Sequence, residues 1–325
     1  MPERVDIEEV NAPDHHAVPD HRMVIAALGP DVRAHLVTRS DAPGLIKLAL
    51  HAAAISLTST WIMVGWPGWP LALFAQGVLL VFLFTLLHEV THETAFRTKW
   101  INQAVASVTG ALLLIPPTWF RAFHFAHHRH TNDPLRDPER SGREIDSRGA
   151  LAWHLTGLPL WWSQLRILAA LGRGDVSAEY IPNRARHKTV REAQIYLLGY
   201  AGLALAALAS TAVADAVVWL WLVPVLLGQP VLRAYLLAEH GLCPPVANML
   251  ENSRTTLTNR VVRWLAWNMP FHAEHHAYPS VPWHRLPDFH EITRDHLAST
   301  SDGYIAFHRE MAGEIKLNAQ ISSAR

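Results

Sequence analysis

Four long apolar stretches organise the chain, at residues 45–64, 69–87, 194–213 and 216–238. Each is close to the roughly 20 residues that an α-helix needs to cross the hydrocarbon core of a bilayer. The turn GWPG separates the first two, and Ala214-Asp215 separates the last two, so the pattern predicts two transmembrane hairpins. Buried helices of a large soluble protein are the alternative, but these stretches are almost uncharged on every face.

The remaining segments predict a helical cap and two polar ends. Residues 1–44 are polar and contain several prolines, and residues 291–325 form a tail. The cap would consist of residues 88–193 and 239–290. Within it, the apolar run at 101–115 is too short to span a bilayer and predicts an interfacial or partly inserted helix.

The distribution of basic residues predicts how the hairpins are oriented. Four Lys or Arg residues lie in 1–44, 14 in 88–193 and 8 in 239–325, whereas neither short turn has any. By the positive-inside rule, both termini and the cap face the cytosol. The expected fold is therefore all-α, an integral membrane four-helix arrangement with a cytosolic helical cap, in a multi-pass protein of the cell membrane.

Composition excludes several classes of protein and metal site. The formal charge is zero, so no polyanion such as nucleic acid is an expected partner. A single cysteine, Cys243, excludes a disulfide framework and a cysteine-ligated iron–sulfur or zinc site. Histidine is enriched instead, with 21 among 325 residues.

Three short histidine clusters carry the candidate chemistry. We call residues 88–92 (HEVTH), 124–128 (HFAHH) and 272–276 (HAEHH) the first, second and third histidine boxes. The first box has histidines at i and i+4, and the other two have them at i, i+3 and i+4. This spacing puts the rings of each box on one face of a helix, where neutral imidazoles suit a transition metal. A further histidine ends the second hairpin much as the first box ends the first hairpin. The candidate metal ligands are His88, His92, His124, His127, His128, His240, His272, His275 and His276.

Polar residues near the boxes are candidates for orienting the ligand rings through hydrogen bonds. They are Glu89, Asp133, Glu239, Asn268 and Glu274, with Asp137 as an alternative to Asp133 in the segment TNDPLRDPE. A purely structural role, such as capping a turn, stays open for them. The histidines of the C-terminal part, His284, His290, His296 and His308, are expected at the surface.

The number of ligands indicates the chemistry. Eight or nine imidazoles exceed the capacity of one ion and suit two, whereas zinc hydrolases usually hold their metal with three protein ligands and a water. The set therefore favours a redox-active pair, with two iron ions as cofactors and O2 as co-substrate. At the membrane edge such a centre faces lipids, and an acyl methylene has no acidic proton. Oxidative removal of hydrogen is therefore the expected reaction type.

The three boxes, the last within NMPFHAEHHAYPSVPWHRLP, resemble those of the membrane fatty acid desaturase superfamily over roughly residues 45–290. The resemblance implies a mushroom-shaped protein in which the cap holds a di-iron centre above a kinked tunnel for the acyl chain. It implies the eight box histidines as iron ligands and His240 as the family's extra histidine. The chain departs from the family in beginning its first box HE rather than HD. Leu236 also stands where some members have an asparagine that holds a metal-bound water.

The resemblance leaves the reaction open. Integral-membrane hydroxylases and carotenoid ketolases share such boxes, and YPSVPWHRLP is similar to the ketolases. The 31 residues between His92 and His124 favour the acyl desaturase branch. Desaturation of a lipid or fatty acid is therefore the expected reaction, and hydroxylation or ketolation is the alternative.

Two further classes are distant alternatives. A metal transporter would place its ligands at mid-membrane, and a heme protein needs only two axial histidines per heme. The chain has no cytochrome b5-like heme motif, no iron–sulfur cysteines and no GxGxxG loop. Electrons are therefore expected from a separate carrier of the ferredoxin or cytochrome b5 type.

Overall fold

The computed structural model describes residues 18–141 and 145–323, which are mostly helical. Residues 1–17 of the predicted polar N-terminal segment lie outside the described residues. The helices before residue 180 are α1 (His21–Ala27), α2 (Pro30–Leu36), α3 (Asp41–Val64), α4 (Trp69–Val81), α5 (Leu83–Thr91), α6 (Lys99–Leu113), α7 (Pro117–His130), α8 (Arg148–Leu155) and α9 (Leu158–Gly172). Those after it are α10 (Asn183–Ala209), α11 (Thr211–Val217), α12 (Val223–His240), α13 (Met249–Asn252), α14 (Arg260–Leu265), α15 (His272–Ala277), α16 (Leu286–Thr293) and α17 (Tyr304–Ser323).

Shorter elements connect these helices. A π-helical turn, Val218–Leu222, joins α11 to α12. Two 3-10 turns lie at Pro138–Ser141 and Arg294–His296. Strands β1 (Thr255–Thr256) and β2 (Thr300–Ser301) pair in parallel, with Thr255 opposite Thr300.

Four helical segments are long and apolar enough to cross a membrane. They are Ala42–Val64, Trp69–Thr91, Asn183–Ala209 and Thr211–His240. α6 and α7 would add a fifth if this pair, bent by 94°, formed one span. The four segments correspond to the four predicted apolar stretches, and their arrangement across a bilayer stays a prediction.

The first predicted hairpin has its turn where expected. α3 ends at Gly65 and α4 begins after Gly68, and both glycines have positive φ, which costs glycine little. The Trp61 indole N–H donates to the carbonyl of Pro67 at 3.1 Å and closes the turn. α4 continues through Phe82 into α5, which ends at the first histidine box.

The second hairpin differs from the prediction. The break lies at Ser210, whose backbone is extended, and not at Ala214-Asp215, which lie within α11. Serine has a lower helix propensity than the alanines around it, which favours a break at this residue, although its side chain makes no capping hydrogen bond. α10 also begins at Asn183, before the predicted residue 194, because the polar residues in front of the apolar run are helical too.

Helices α4 and α12 pack with their backbones in contact. A Cβ atom on Gly77 would overlap the carbonyl oxygen of Pro224, and one on Gly228 would overlap the carbonyl oxygen of Gly77. Pro224 has no N–H and cannot donate the helical hydrogen bond to the carbonyl of Leu220, four residues earlier. This carbonyl accepts from Gln76 Nε2 at 3.2 Å instead. Small residues allow helices to approach closely in membranes, so this contact fixes the relation between the two hairpins.

The predicted run at 101–115 forms α6, and a sharp bend follows it. Leu114 has a left-handed backbone with φ 61, and Pro116 and Pro117 cannot continue the helix. The Tyr196 hydroxyl on α10 donates to the carbonyl of Ser107 at 2.6 Å and holds α6 in place. The bend therefore sets the direction of α7, which carries the second histidine box.

Candidate metal centre

Nine histidine rings lie together where four helices meet. The first box lies at the end of α5, the second lies in α7, the third lies in α15, and His240 is the last residue of α12. The rings form two groups, and in each group the candidate ligand nitrogens all lie within 4.8 Å of one another. The first group is His88, His92, His124, His128 and His275, and the second group is His127, His240, His272 and His276.

Helical periodicity explains how the boxes divide between the groups. Residues at i and i+4 lie close to one line on a helix surface. The i, i+4 pairs of the first and second boxes join the first group, and that of the third box joins the second group. The middle histidines, His127 and His275, belong to the opposite group from their own pairs. α7 and α15 therefore each contribute to both groups.

Ring nitrogens within each group face one another at short distances. His124 Nε2 lies 2.8 Å from His92 Nε2 and 2.9 Å from His128 Nε2. An imidazole nitrogen carries one proton or one lone pair, so two such neighbours are poorly satisfied by hydrogen bonding alone. Nitrogens bound about 2.1 Å from a common ion lie roughly 3.0–3.5 Å apart. The spacing of these nitrogens is therefore close to that of ligands around a metal.

The second group repeats this geometry. His240 Nε2 lies 3.1 Å from His127 Nε2 and 3.0 Å from His272 Nε2. In the first group, both ring nitrogens of the buried His88 and His275 lack a hydrogen-bond partner among the described residues. Buried polar atoms are normally paired. Orphaned, converging nitrogens of this kind fit a pair of transition-metal ions.

In several second-group rings, the Nδ1 atom, which faces away from the other ligands, contacts an oxygen atom. His127 Nδ1 lies 2.9 Å from Asp137 Oδ1, and His240 Nδ1 lies 3.3 Å from the carbonyl oxygen of Asn252. Because these oxygens are acceptors, each Nδ1 carries the proton and donates it, which leaves the Nε2 lone pair free for a metal. His276 Nδ1 lies 3.1 Å from Thr131 Oγ1.

Burial keeps several of the rings in the neutral form that binds metals. Desolvation lowers the pKa of His92, His272, His275 and His276 well below the ordinary value, and neighbouring histidines lower it further. Metal ions bind the neutral imidazole. The folded protein therefore presents these ligands unprotonated at neutral pH.

Two predicted orienting residues, Glu239 and Glu89, lie close to the centre, but only one approaches a box ring. Glu239 Oε1 lies 3.6 Å from His272 Nδ1. Glu89 is fully buried, yet its Oε1 accepts the backbone N–H of Trp283 at 3.0 Å. Glu89 therefore joins α5 to the segment that follows the third box.

The segment after the second box uses Asp137 where Asp133 was the preferred prediction. Asp133 accepts the backbone N–H groups of Leu135 and Arg136, at 2.9 and 3.1 Å, so it caps its own turn. Asp137 is buried and bonds His127. The sequence offered both carboxylates, and the turn geometry that separates their roles is not visible in residue types.

Asn268 and Glu274 also have structural roles. Asn268 has a left-handed backbone with φ 58, and its amide donates to the carbonyl of Trp283 at 2.9 Å. Glu274 is fully buried and bonds His290 Nδ1 and the hydroxyl of Thr255. The prediction that His290 is a surface residue is therefore wrong, because it is the partner of a buried carboxylate.

The remaining C-terminal histidines differ in their surroundings. His308 Nε2 bonds the carbonyl of Ala234 at 2.9 Å, and His284 is half-buried beside the ring of Trp283. His296 is half-buried. Their spacing lacks the helical pattern of the boxes, and neither metal group includes them.

Comparison with known proteins places this geometry in context. A profile described as fatty acid desaturase matches residues 64–308. The chain is similar to a Delta(12) fatty acid desaturase of Mortierella isabellina, with 27% identity over 115 residues, which are 33% of this chain and 29% of that protein. The matched stretch thus spans less than a third of that relative.

Longer matches cover most of the chain at lower identity. A sphingolipid delta(4)-desaturase of Drosophila melanogaster is 23% identical over 247 residues, 74% of this chain and 68% of that protein. A zeaxanthin 4-ketolase of Chlamydomonas reinhardtii is 25% identical over 236 residues, 68% of this chain and 44% of that protein.

Proposed function

The chain belongs to the fatty acid desaturase family, and from this premise we propose that it is an O2-dependent membrane oxidoreductase that introduces a double bond into the acyl chain of a lipid or fatty acid. Two iron ions are the proposed cofactor. The observation that carries the proposal is the convergence of nine imidazoles in groups of five and four.

The two groups would each hold one ion. Bound iron would supply the oxidising chemistry, with O2 as the oxidant for an unactivated C–H bond. Burial keeps His92, His272, His275 and His276 neutral. Asp137 and the Asn252 carbonyl fix the protonated nitrogen of His127 and His240. Overall, the substrate would lose two hydrogens from adjacent carbons, and two electrons and two protons would be added to reduce O2 to two waters.

The position of the centre suits a substrate dissolved in the bilayer. His88 lies near the end of the candidate span Trp69–Thr91, and His240 ends the candidate span Thr211–His240. Their rings belong to neighbouring groups, so the ends of both hairpins would meet at one membrane face. We propose that this face and both termini are cytosolic, in keeping with the distribution of basic residues.

The electrons would come from a separate carrier. No cysteine-ligated cluster is possible with one cysteine, and the sequence has no GxGxxG dinucleotide loop. We expect a ferredoxin or cytochrome b5 type of donor. Turnover of the purified protein with NAD(P)H alone would contradict this part of the proposal.

A second candidate function is ketolation or hydroxylation by the same centre. It is favoured by the match to a zeaxanthin 4-ketolase over 68% of the chain. All these reactions begin by removing hydrogen from a methylene group. They then differ in whether a second hydrogen leaves or oxygen is added to the carbon.

Lipid analysis of a host that expresses the chain tests the proposal. We expect new unsaturated acyl chains with the wild type and none with His128→Ala. His130→Ala is the matched control, because His130 lies on the same helix but in neither metal group. The control should retain activity.

The product distinguishes the candidates. A hydroxyl or keto group in place of a double bond would overturn desaturation in favour of the second function. The purified protein should contain about two irons per chain and show no Soret band. A Soret band would indicate heme and contradict the proposed centre.

A further inference from the structure

Glu139 faces both histidine groups, although it is not part of any histidine box. It lies in the 3-10 turn Pro138–Ser141 that follows the second box. Its Oε2 lies 3.7 Å from His127 Nε2, and its Oε1 lies 4.0 Å from His124 Nδ1. These rings belong to different groups. Among the described residues, Glu139 is the only acidic side chain with an oxygen within 4.0 Å of a ring nitrogen from each group.

The turn that carries Glu139 is anchored to the centre. The buried carboxylate of Asp137 bonds His127 Nδ1 and also accepts the backbone N–H groups of Glu139 and Asn132, at 2.9 and 2.8 Å. Arg140 Nη1 in turn donates to Asn132 Oδ1 at 2.8 Å. The Asp137 side chain therefore orients a candidate ligand, His127, and also fixes the backbone of Glu139.

Glu139 Oε2 lies at the edge of the second group, just outside the set of ligand atoms that are all within 4.8 Å of one another. This oxygen approaches His127 Nε2, the same nitrogen that faces His240 Nε2 at 3.1 Å. Two ligand atoms about 2.1 Å from one ion lie roughly 3.0–3.6 Å apart at ordinary coordination angles. The separation of 3.7 Å is slightly longer, so a small rotation of the partly exposed Glu139 side chain would bring this oxygen to the ion. The second group also has four imidazoles where the first has five. An oxygen from Glu139 would give both ions the same number of protein ligands.

The other carboxylate oxygen of Glu139, Oε1, lies near His124 of the first group, on the side of the ring that faces away from the other ligands. His124 Nε2 faces its group, so its Nδ1 must carry the proton when Nε2 binds a metal. That Nδ1 is buried and has no hydrogen-bond partner among the described residues. A carboxylate oxygen 4.0 Å away favours the proton at this nitrogen electrostatically.

We propose that Glu139 is an oxygen ligand of the ion held by the second group and, through its other oxygen, stabilises the ligand form of His124. One carboxylate then connects both halves of the centre at its opening to solvent, where the Glu139 side chain is 37% exposed. The inference rests on the proposed function only for the presence of two metal ions, and not for the reaction that they catalyse.

A cobalt titration of the purified, metal-depleted protein tests this inference. Wild type should bind two Co2+ per chain. In Glu139→Gln one of the two ions should lose about 10- to 100-fold in affinity, and the visible d–d spectrum should change as an oxygen ligand is lost. Glu139→Asp keeps the carboxylate and should fall between the two. Asp133→Asn is the matched control, since Asp133 caps its own turn in the same segment.

The outcomes separate this inference from the proposed function. If Glu139→Gln has the binding curve and spectrum of wild type, the inference is wrong, whatever the enzyme does to lipids. If wild type binds two ions but makes no double bond, the proposed reaction fails while the cobalt result still decides the role of Glu139. Glu139 is partly exposed, and an unchanged thermal transition of each variant would show that folding is intact. If wild type binds no Co2+, both proposals fall.

Discussion

At the scale of single residues, Asp137 connects a candidate ligand to the backbone of the segment that follows the second box. It is buried, and it bonds His127 Nδ1 and two backbone N–H groups. Replacing Asp137 with alanine would leave these donors without their acceptor and His127 without a fixed tautomer. We expect Asp137→Ala to lower metal affinity about 10- to 100-fold. Iron retained per chain in chelator-buffered solution measures this.

A neighbouring aspartate gives the matched comparison. Asp133 lies in the same segment but bonds its own turn and Arg136. Asp133→Ala should therefore leave iron retention close to that of wild type. Equal losses in the two variants would mean that any disturbance of the segment releases metal, and that the bond to His127 is not the cause.

The pair Glu274 and His290 supports the third box from outside the metal groups. Glu274 lies between His272 and His275 in the sequence and is fully buried in the structure. Its carboxylate has His290 and Thr255 as hydrogen-bond partners. His290→Ala would leave a buried carboxylate with one partner fewer, at a cost of about 1–3 kcal/mol. We expect a lower thermal transition in detergent.

His296 is the control for this change. It lies in the following 3-10 turn and is half-buried. His296→Ala should leave the transition nearly unchanged. A His290→Ala protein as stable as wild type would show that Thr255 or water satisfies Glu274 alone.

Residue types near a box predicted its supporting contacts poorly. Of the five preferred orienting candidates, only Glu239 approaches a box ring. Asn252 and Thr131 were not predicted, and they support His240 and His276 through contacts that join distant parts of the chain. Helical spacing reports which side chains share a face, but it carries no information on what packs against that face.

At the scale of secondary structure, the contact between α4 and α12 leaves no room for a side chain at Gly77 or Gly228. A methyl group on Gly77 would overlap the backbone near Pro224. Gly77→Ala must therefore push the two helices apart, and overpacking of this kind costs about 1–3 kcal/mol. We expect a lower thermal transition and, because α4 continues into α5, weaker metal binding as well.

Gly199 on α10 provides the control, since an added Cβ there meets no atom within 4 Å. Gly199→Ala should keep or slightly raise stability, because alanine is the better helix former. If both variants behave alike, the close contact of α4 and α12 is not needed for the fold.

The helices themselves were easier to predict than their ends. Long apolar runs identified all four candidate spans. A run of about twenty mostly apolar residues in a bilayer must form a helix, because only a helix satisfies its backbone hydrogen bonds within the segment. The break at Ser210 was missed because Asp215 looked like the natural turn residue, yet it lies within α11. Short polar extensions, such as the first turns of α10, follow from local helix propensity and not from hydropathy.

At the scale of the whole molecule, the chain brings together rings that are far apart in sequence, from His88 to His276. Histidine spacing predicted eight members of the two groups, and the position of His240 at the end of the second hairpin predicted the ninth. Neither predicted their division into five and four, because that depends on how α7 and α15 face each other. The grouping is the structural result from which the two-ion proposal and the role of Glu139 follow.

Orientation in the membrane is the remaining prediction for the whole molecule. The turn at residues 65–68 has no Lys or Arg, whereas the segments that hold the boxes contain most of them. We therefore expect Trp66 on the outer side and Leu135, beside the metal centre, on the cytosolic side. Both side chains are exposed, at 46% and 93%, so a cysteine at either position would be reactive.

Cysteine labelling measures this directly. The single native cysteine, Cys243, is buried, and Cys243→Ala provides a background without thiols. In intact cells a membrane-impermeant maleimide should label Trp66→Cys, and it should label Leu135→Cys only after permeabilisation. The reverse pattern would invert the topology and place the metal centre outside the cell, away from soluble cytosolic electron carriers. Labelling of both positions in intact cells would mean that Trp66 and Leu135 lie on the same side of the membrane. This would contradict the proposed hairpins, in which a span separates the two residues.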